Sequence, residues 1–138
     1  MLIKHRGVAP NVDPSAYVAP TATLVGNVTV GPGARIMYGA VLDSEASEVV
    51  VGEGCIIAEN AVLRATAAGA QPHPVVLGDH VFVGPHATLL GCHVERCCYL
   101  ATSVTCCTAP GSVRVRRWRW ARWCTPVPCC HRSASSHR

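Results

Sequence analysis

Val12-Asp13-Pro14-Ser15-Ala16-Tyr17 and Val18-Ala19-Pro20-Thr21-Ala22-Thr23 open a run of six-residue units. It continues as Leu24-Val25-Gly26-Asn27-Val28-Thr29, Val30-Gly31-Pro32-Gly33-Ala34-Arg35 and Ile36-Met37-Tyr38-Gly39-Ala40-Val41. Each unit begins with an aliphatic residue and carries a small one four places on. The register returns at Val51-Gly52-Glu53-Gly54-Cys55-Ile56 and Ile57-Ala58-Glu59-Asn60-Ala61-Val62, and again at Leu77-Gly78-Asp79-His80-Val81-Phe82 and Val83-Gly84-Pro85-His86-Ala87-Thr88. Hexapeptide periodicity of this kind marks an all-β chain wound as a parallel β-helix.

The reason is geometric. Each unit supplies one short strand and one corner of a three-sided prism, so three units close a coil. The leading aliphatic residue points inward, the small residue fits the tight wall, and Gly, Asn or Pro takes the corner. Each buried Val, Leu or Ile contributes about 1.5 to 3 kcal/mol of transfer free energy. Columns of them can therefore replace an aromatic core, and Phe82 is the only phenylalanine. Val18, Leu24, Val30, Ile36, Val51, Ile57, Leu77, Val83, Leu89, Val94 and Leu100 are expected to face inward.

The 138 residues fit one domain of about five coils. No apolar run reaches membrane-spanning length, and Met1-Leu2-Ile3-Lys4-His5-Arg6 lacks the apolar centre of a signal peptide. A cytoplasmic protein with no membrane partner is expected. Nine cysteines suggest a disulfide framework at first, but a solenoid needs no such staples. Seven of the nine lie from Cys97 onward, and no acidic residue lies beyond Glu95. The chain divides accordingly into a repeat domain, residues 1–105, and a basic tail rich in Cys, Trp and Arg, residues 106–138. The β-helix is thus incomplete at its C-terminal end, with an irregular tail after it.

Within the repeat domain, the first eleven residues should give a short leading strand and a lid over the open end of the prism. The register slips by three residues across Asp43-Ser44-Glu45-Ala46-Ser47-Glu48. A longer excursion, Ala65 to Pro74, separates Leu63 from Leu77 and reads as a loop, the usual place for a binding face on a rigid solenoid. Cys55 and Cys92 fall on wall positions and read as small buried side chains.

With the repeat, the slip and the loop in place, Tyr38-Gly39-Ala40-Val41-Leu42, Val51-Gly52-Glu53-Gly54 and Leu89-Leu90-Gly91-Cys92 resemble the γ-class carbonic anhydrase-like branch of the hexapeptide-repeat proteins. The resemblance covers roughly residues 8 to 105. It implies a left-handed helix, a homotrimer and, in catalytic members, zinc held by three histidines at the subunit interface for hydrating carbon dioxide. Laid on this chain, the three ligand positions fall on Arg64, Pro85 and Leu90. Guanidinium has no lone pair to give, proline has no side-chain donor, and leucine is apolar. The glutamine near the metal falls on Ala58, and an arginine and aspartate pair falls on Asp43 and Glu45. No catalytic residue is carried over, and classical zinc hydratase activity is not expected.

Three functions follow as expectations. In the first, a γ-carbonic anhydrase-like homotrimer keeps a small-molecule or anion pocket between subunits. Arg64 then either holds an anion without metal or bridges two subunits as an ion pair. If zinc were bound at all, His73 and His86 are the candidate ligands, His73 of one subunit approaching His86 of another. In the second, a hexapeptide acyltransferase would use acetyl-coenzyme A with His73 as general base. In the third, the trimer is a scaffold without chemistry.

The tail stretch Arg117-Trp118-Arg119-Trp120-Ala121-Arg122-Trp123-Cys124 admits an Arg/Trp surface for nucleic acid or membrane. The expectation is instead a frameshift, and no nucleic-acid partner. Tryptophan is written only as TGG, so the stretch can be encoded CGG TGG CGG TGG GCG CGC TGG TGC. Read two bases later, this gives valine, alanine, valine, glycine, alanine, leucine, valine, which is another hexapeptide. The slip falls close to Thr105.

Overall fold

The computed structural model describes residues 1–68, 71–107 and 114–115. Among them every regular element is a strand, and three parallel sheets form the faces of a prism. The first face stacks Leu2–Ile3, Thr23–Val25, Val41–Asp43, Val62–Arg64, Thr88–Leu90 and Thr105–Cys107. The second stacks Asn11–Val12, Val28–Val30, Val49–Val51, Val75–Leu77, His93–Val94 and Arg114–Val115. The third stacks Tyr17–Val18, Arg35–Ile36, Ile56–Ile57, Phe82–Val83 and Tyr99–Leu100. The chain visits first, second and third face in turn, so each strand pairs with one a full coil away.

Register explains why two-residue strands suffice. Leu24 lies over Leu42, Leu42 over Leu63, and Leu63 over Leu89. Val30, Val51, Leu77 and Val94 form the second column, and Ile36, Ile57, Val83 and Leu100 the third. All twelve side chains are buried, with the small wall residues Ala22, Ala34, Ala40, Ala61 and Ala87 packed between them. Of the eleven positions expected inward, ten are fully buried. Val18 is the exception and is only half-buried, because it sits at the open N-terminal end.

That end corrects the expectation of a lid. Residues 2–3 extend the first face by one rung, and the Met1 amino group donates to the Ala22 carbonyl. Met1, Leu2 and Ile3 nevertheless stay exposed, and Val12 and Val18 are not sealed. The excursion after Arg64 also differs from a plain loop. Thr66–Ala68 and Gln71–His73 pair antiparallel as a hairpin leaving the corner between the first and second faces.

The corners have their own rule. The fourth residue of eight hexapeptides, Gly33, Gly39, Gly54, Asn60, His80, His86, Cys97 and Ser103, has positive φ between 57° and 73°. A side chain there adopts the left-handed region that glycine and asparagine tolerate best. His80 and His86 thus serve as corner residues of the wall. Of the described cysteines, Cys55, Cys92, Cys98 and Cys106 are buried and Cys97 is exposed. Apart from residues 106–107 and 114–115, the tail lies outside the described residues.

Candidate functional site at the first corner

The slip and the hairpin leave the prism at the same corner, between the first and second faces, and the charges gather there. On the outer side of the first face, Val25, Asp43, Arg64 and Leu90 lie in register on successive rungs. The backbone ties them, since the Ala65 N–H donates to the Asp43 carbonyl at 2.9 Å and the Gly91 N–H to the Arg64 carbonyl at 2.9 Å.

Glu45 completes the group. The slip puts it on the corner turn with φ +49°, and its N–H donates to Asp43 Oδ1 at 2.8 Å. Ser44 beside it is buried and accepts from the Asn27 N–H at 2.9 Å, which anchors the turn to the rung below. From that turn Glu45 Oε2 accepts from Arg64 Nη2 at 2.7 Å. Sequence reasoning had offered Arg64 an anion or another subunit. The structure gives it a carboxylate of its own chain. Counting rungs from Leu42 to Leu63 would have found this, because it sets Asp43 and Arg64 side by side.

The other expected site residues are spread out. His73 stands opposite Thr66 at the base of the hairpin, near the Arg64 edge of the first face. Pro85 and His86 lie on the corner between the third and first faces, at the opposite edge, where the His86 N–H donates to the Glu59 carbonyl at 3.0 Å. His80 holds the remaining corner, packed against Gly54. His93 is exposed on the second face. Ala58 and the wall residues Cys55 and Cys92 are buried, and burial pushes the Cys55 thiol pKa up. Among the described residues no group of three or more His, Cys, Asp or Glu side chains is placed to hold a metal ion. Arg64 and Leu90 are neighbours on adjacent rungs, while Pro85 lies at the opposite edge of the face.

The three positions onto which the resemblance carries the zinc ligands, Arg64, Pro85 and Leu90, hold side chains without a lone pair to donate. A zinc site open to water needs about three protein ligands. What the corner offers is a guanidinium with a hydrogen-bonded carboxylate. Arg64 and Glu45 are 51% and 40% exposed, so the pair remains reachable from solvent. No helix among the described residues is long and apolar enough to cross a membrane.

No family model matches the chain. Among curated proteins it is 45% identical over 98 residues to one named gamma carbonic anhydrase 3, mitochondrial, from Arabidopsis thaliana. That match covers 70% of this chain and 38% of the relative. It is 26% identical over 84 residues to a probable carbonic anhydrase of Methanocaldococcus jannaschii, covering 61% of this chain and 50% of that one. The chain spans only about a third of the length of the Arabidopsis relatives, 38%, 32% and 36% of three of them. Among solved structures it superposes on a hexapeptide transferase family protein from Anaplasma phagocytophilum with a TM-score of 0.68 and 27% identity, covering 82% of this chain and 74% of that one. The in-register columns, the corner slip and these likenesses together make the chain a member of the γ-carbonic anhydrase-like hexapeptide-repeat proteins.

Proposed function

We propose that this chain is a γ-carbonic anhydrase-like protein that does not use a zinc-bound water, and that it forms a homotrimer with a small-anion pocket between subunits. The observation that carries the reading is the Arg64 to Glu45 ion pair of 2.7 Å at the first ligand position. A guanidinium carries its charge permanently, so it supplies there the positive charge a metal would bring. The adjacency of Arg64 and Leu90 supports the mapping, since two ligand positions of one site must be neighbours. The placement of Pro85 at the opposite edge supports the trimer, since in this mapping Pro85 would meet Arg64 and Leu90 from another subunit.

In this reading Arg64 attracts a small anion such as bicarbonate or a carboxylate, and Glu45 holds the guanidinium until the anion competes for it. Leu90 gives the pocket an apolar wall, where the same charge acts more strongly than in open water. Metal analysis and stopped-flow carbon dioxide hydration test it on the full chain. The expected result is substoichiometric zinc and hydration no faster than buffer. Stoichiometric zinc with rapid hydration overturns it and directs attention to His73 and His86. Light scattering is expected to give three times the chain mass, and a strictly monomeric mass removes the pocket. The compartment is proposed to be the cytoplasm, although the Arabidopsis relatives are named mitochondrial, and fractionation of cells expressing a tagged chain tests it.

A second reading has one observation in its favour. A solved structure similar to this fold is described as a hexapeptide transferase family protein. Acyl transfer from acetyl-coenzyme A would call on His73, at the hairpin base, as general base. A thiol-release assay with acetyl-coenzyme A separates this reading from the first.

A further inference from the structure

The inner column of the first face is leucine at four consecutive rungs, Leu24, Leu42, Leu63 and Leu89, and the next rung puts Cys106 in register over Leu89. From there the six-step stops. The positions that should be aliphatic are Ser112, Trp118 and Cys124, and the companions four places after each unit starts are Pro110, Arg116 and Arg122. No prism wall buries Arg116 and Arg122 in the place of an alanine.

We infer that residues from 106 onward are translated out of the frame in which this solenoid was encoded, and that the original frame spelled a further full coil. In that frame each residue is written by the third base of one codon and the first two of the next. Several of its residues do not depend on synonymous codon choice. Any threonine codon followed by TGC or TGT gives NTG at position 106, which is leucine, methionine or valine. The two adjacent cysteines give CTG or TTG at position 107, leucine in either case. The original rung therefore read threonine, aliphatic, leucine, matching Thr88-Leu89-Leu90 beneath it.

The next units follow the same spacing. Arg117 and Trp118 give NTG at position 118, again leucine, methionine or valine. Trp123 and Cys124 give GTG, valine, at position 124. Gly111 and Ser112 give phenylalanine, leucine, isoleucine or valine at position 112 for any TCN serine codon. The companions agree. Ala109 and Pro110 give NCC at position 110, and CGN arginine codons give NCG at positions 116 and 122. All of these encode serine, proline, threonine or alanine. Trp120 and Ala121 give GGC, glycine, at position 121.

Steps of six through 106, 112, 118 and 124 carry the wall from the first face through the second and third and back to the first. A single base missing from codon 105, or from its junction with codon 106, produces the present tail. The alternation of arginine and tryptophan is then a by-product of codons for a repeat wall, and no nucleic-acid or membrane function resides in it.

The test reads gene and protein in the organism that carries them. Genomic DNA and transcripts from independent isolates are sequenced across codons 100–125, and tryptic peptides of the endogenous protein are identified by mass spectrometry. One additional base in codon 105 or at its junction with codon 106, with peptides of the hexapeptide frame and loss of the Trp123 to Arg132 peptide, is the expected result. An unchanged frame in every isolate, with the Trp123 to Arg132 peptide recovered alongside peptides from residues 1–105, overturns the inference.

Discussion

Arg64 and Glu45 meet across one coil, Nη2 to Oε2 at 2.7 Å, although nineteen residues separate them in sequence. The pair is solvent-facing, at 51% and 40% side-chain exposure, so its share of stability is small, about 0 to 1 kcal/mol. Glu45→Gln is expected to shift the thermal midpoint only slightly, and less still at high salt. Retention of anion by the mutant, measured by calorimetry with bicarbonate, should exceed that of Arg64→Gln. Equal loss in both variants would show that the carboxylate is part of the anion site itself.

On the proposed mapping, histidines placed at Arg64, Pro85 and Leu90 should create a zinc site. Arg64 and Leu90 stand in register on adjacent rungs, which lie about 4.8 Å apart in a β-sheet, close enough for two imidazoles to share a metal. The triple substitution Arg64→His, Pro85→His, Leu90→His is expected to bind zinc stoichiometrically as an oligomer. Arg64→His with Leu90→His alone should bind it more weakly. Elemental analysis of gel-filtered protein checks both.

His86 holds a left-handed corner with φ +58°, which sets up a substitution series. His86→Asn or His86→Gly is expected to be near neutral. His86→Val, β-branched in that conformation, should cost about 1 to 2 kcal/mol. Denaturant midpoints decide. A large loss of stability in His86→Asn would point to a role for the imidazole beyond the corner.

Acid sensitivity has one visible source at the N-terminal end. The Ser15 hydroxyl and its backbone N–H both donate to Asp13 Oδ1, at 2.6 and 2.9 Å, and hold that carboxyl below its ordinary value of 3.8. A lowered folded-state pKa gives stability above the ordinary value that is lost as the pH falls through the folded one. Asp13→Asn is therefore expected to flatten the acid limb of a stability profile by slightly lowering its neutral plateau towards the acid value. Urea midpoints from pH 2 to 7 measure it.

Thiol chemistry should follow the prism wall. Cys97 is exposed on a corner, whereas Cys55, Cys92, Cys98 and Cys106 are buried. Brief alkylation of native protein, read by peptide mapping, is expected to label Cys97 well before these four. Cys55 should be slowest at any pH, because burial keeps its thiol protonated. Early labelling of Cys55 would mean that the wall opens locally.

Much of this fold was legible because its core obeys one number. A six-residue step sends every leading side chain inward, and ten of eleven such positions are buried. Val18 escaped the rule because periodicity describes a column and not its end. The hairpin from Thr66 to His73 does not show in the sequence, since Ala, Gly and Pro carry no strand alternation, and its pairing depends on two short segments meeting. The histidines looked like a cluster in sequence. They separate because His80 and His86 answer to the corner rule, which no composition reveals. Arg64 stands out by position, but its partner requires the register, since a slip of three residues is what swings Glu45 back toward it.

The hairpin at the first corner has a practical meaning of its own. The chain leaves the wall after Arg64, travels outward, and re-enters at Val75 aligned with Val49 below it, as though nothing had been inserted. A peptide grafted between the two hairpin strands would be displayed beside Arg64 without moving a single downstream rung. Such a graft could convert a plain prism into a carrier whose cargo sits at a known height along the axis, repeated around any symmetric assembly the prism forms.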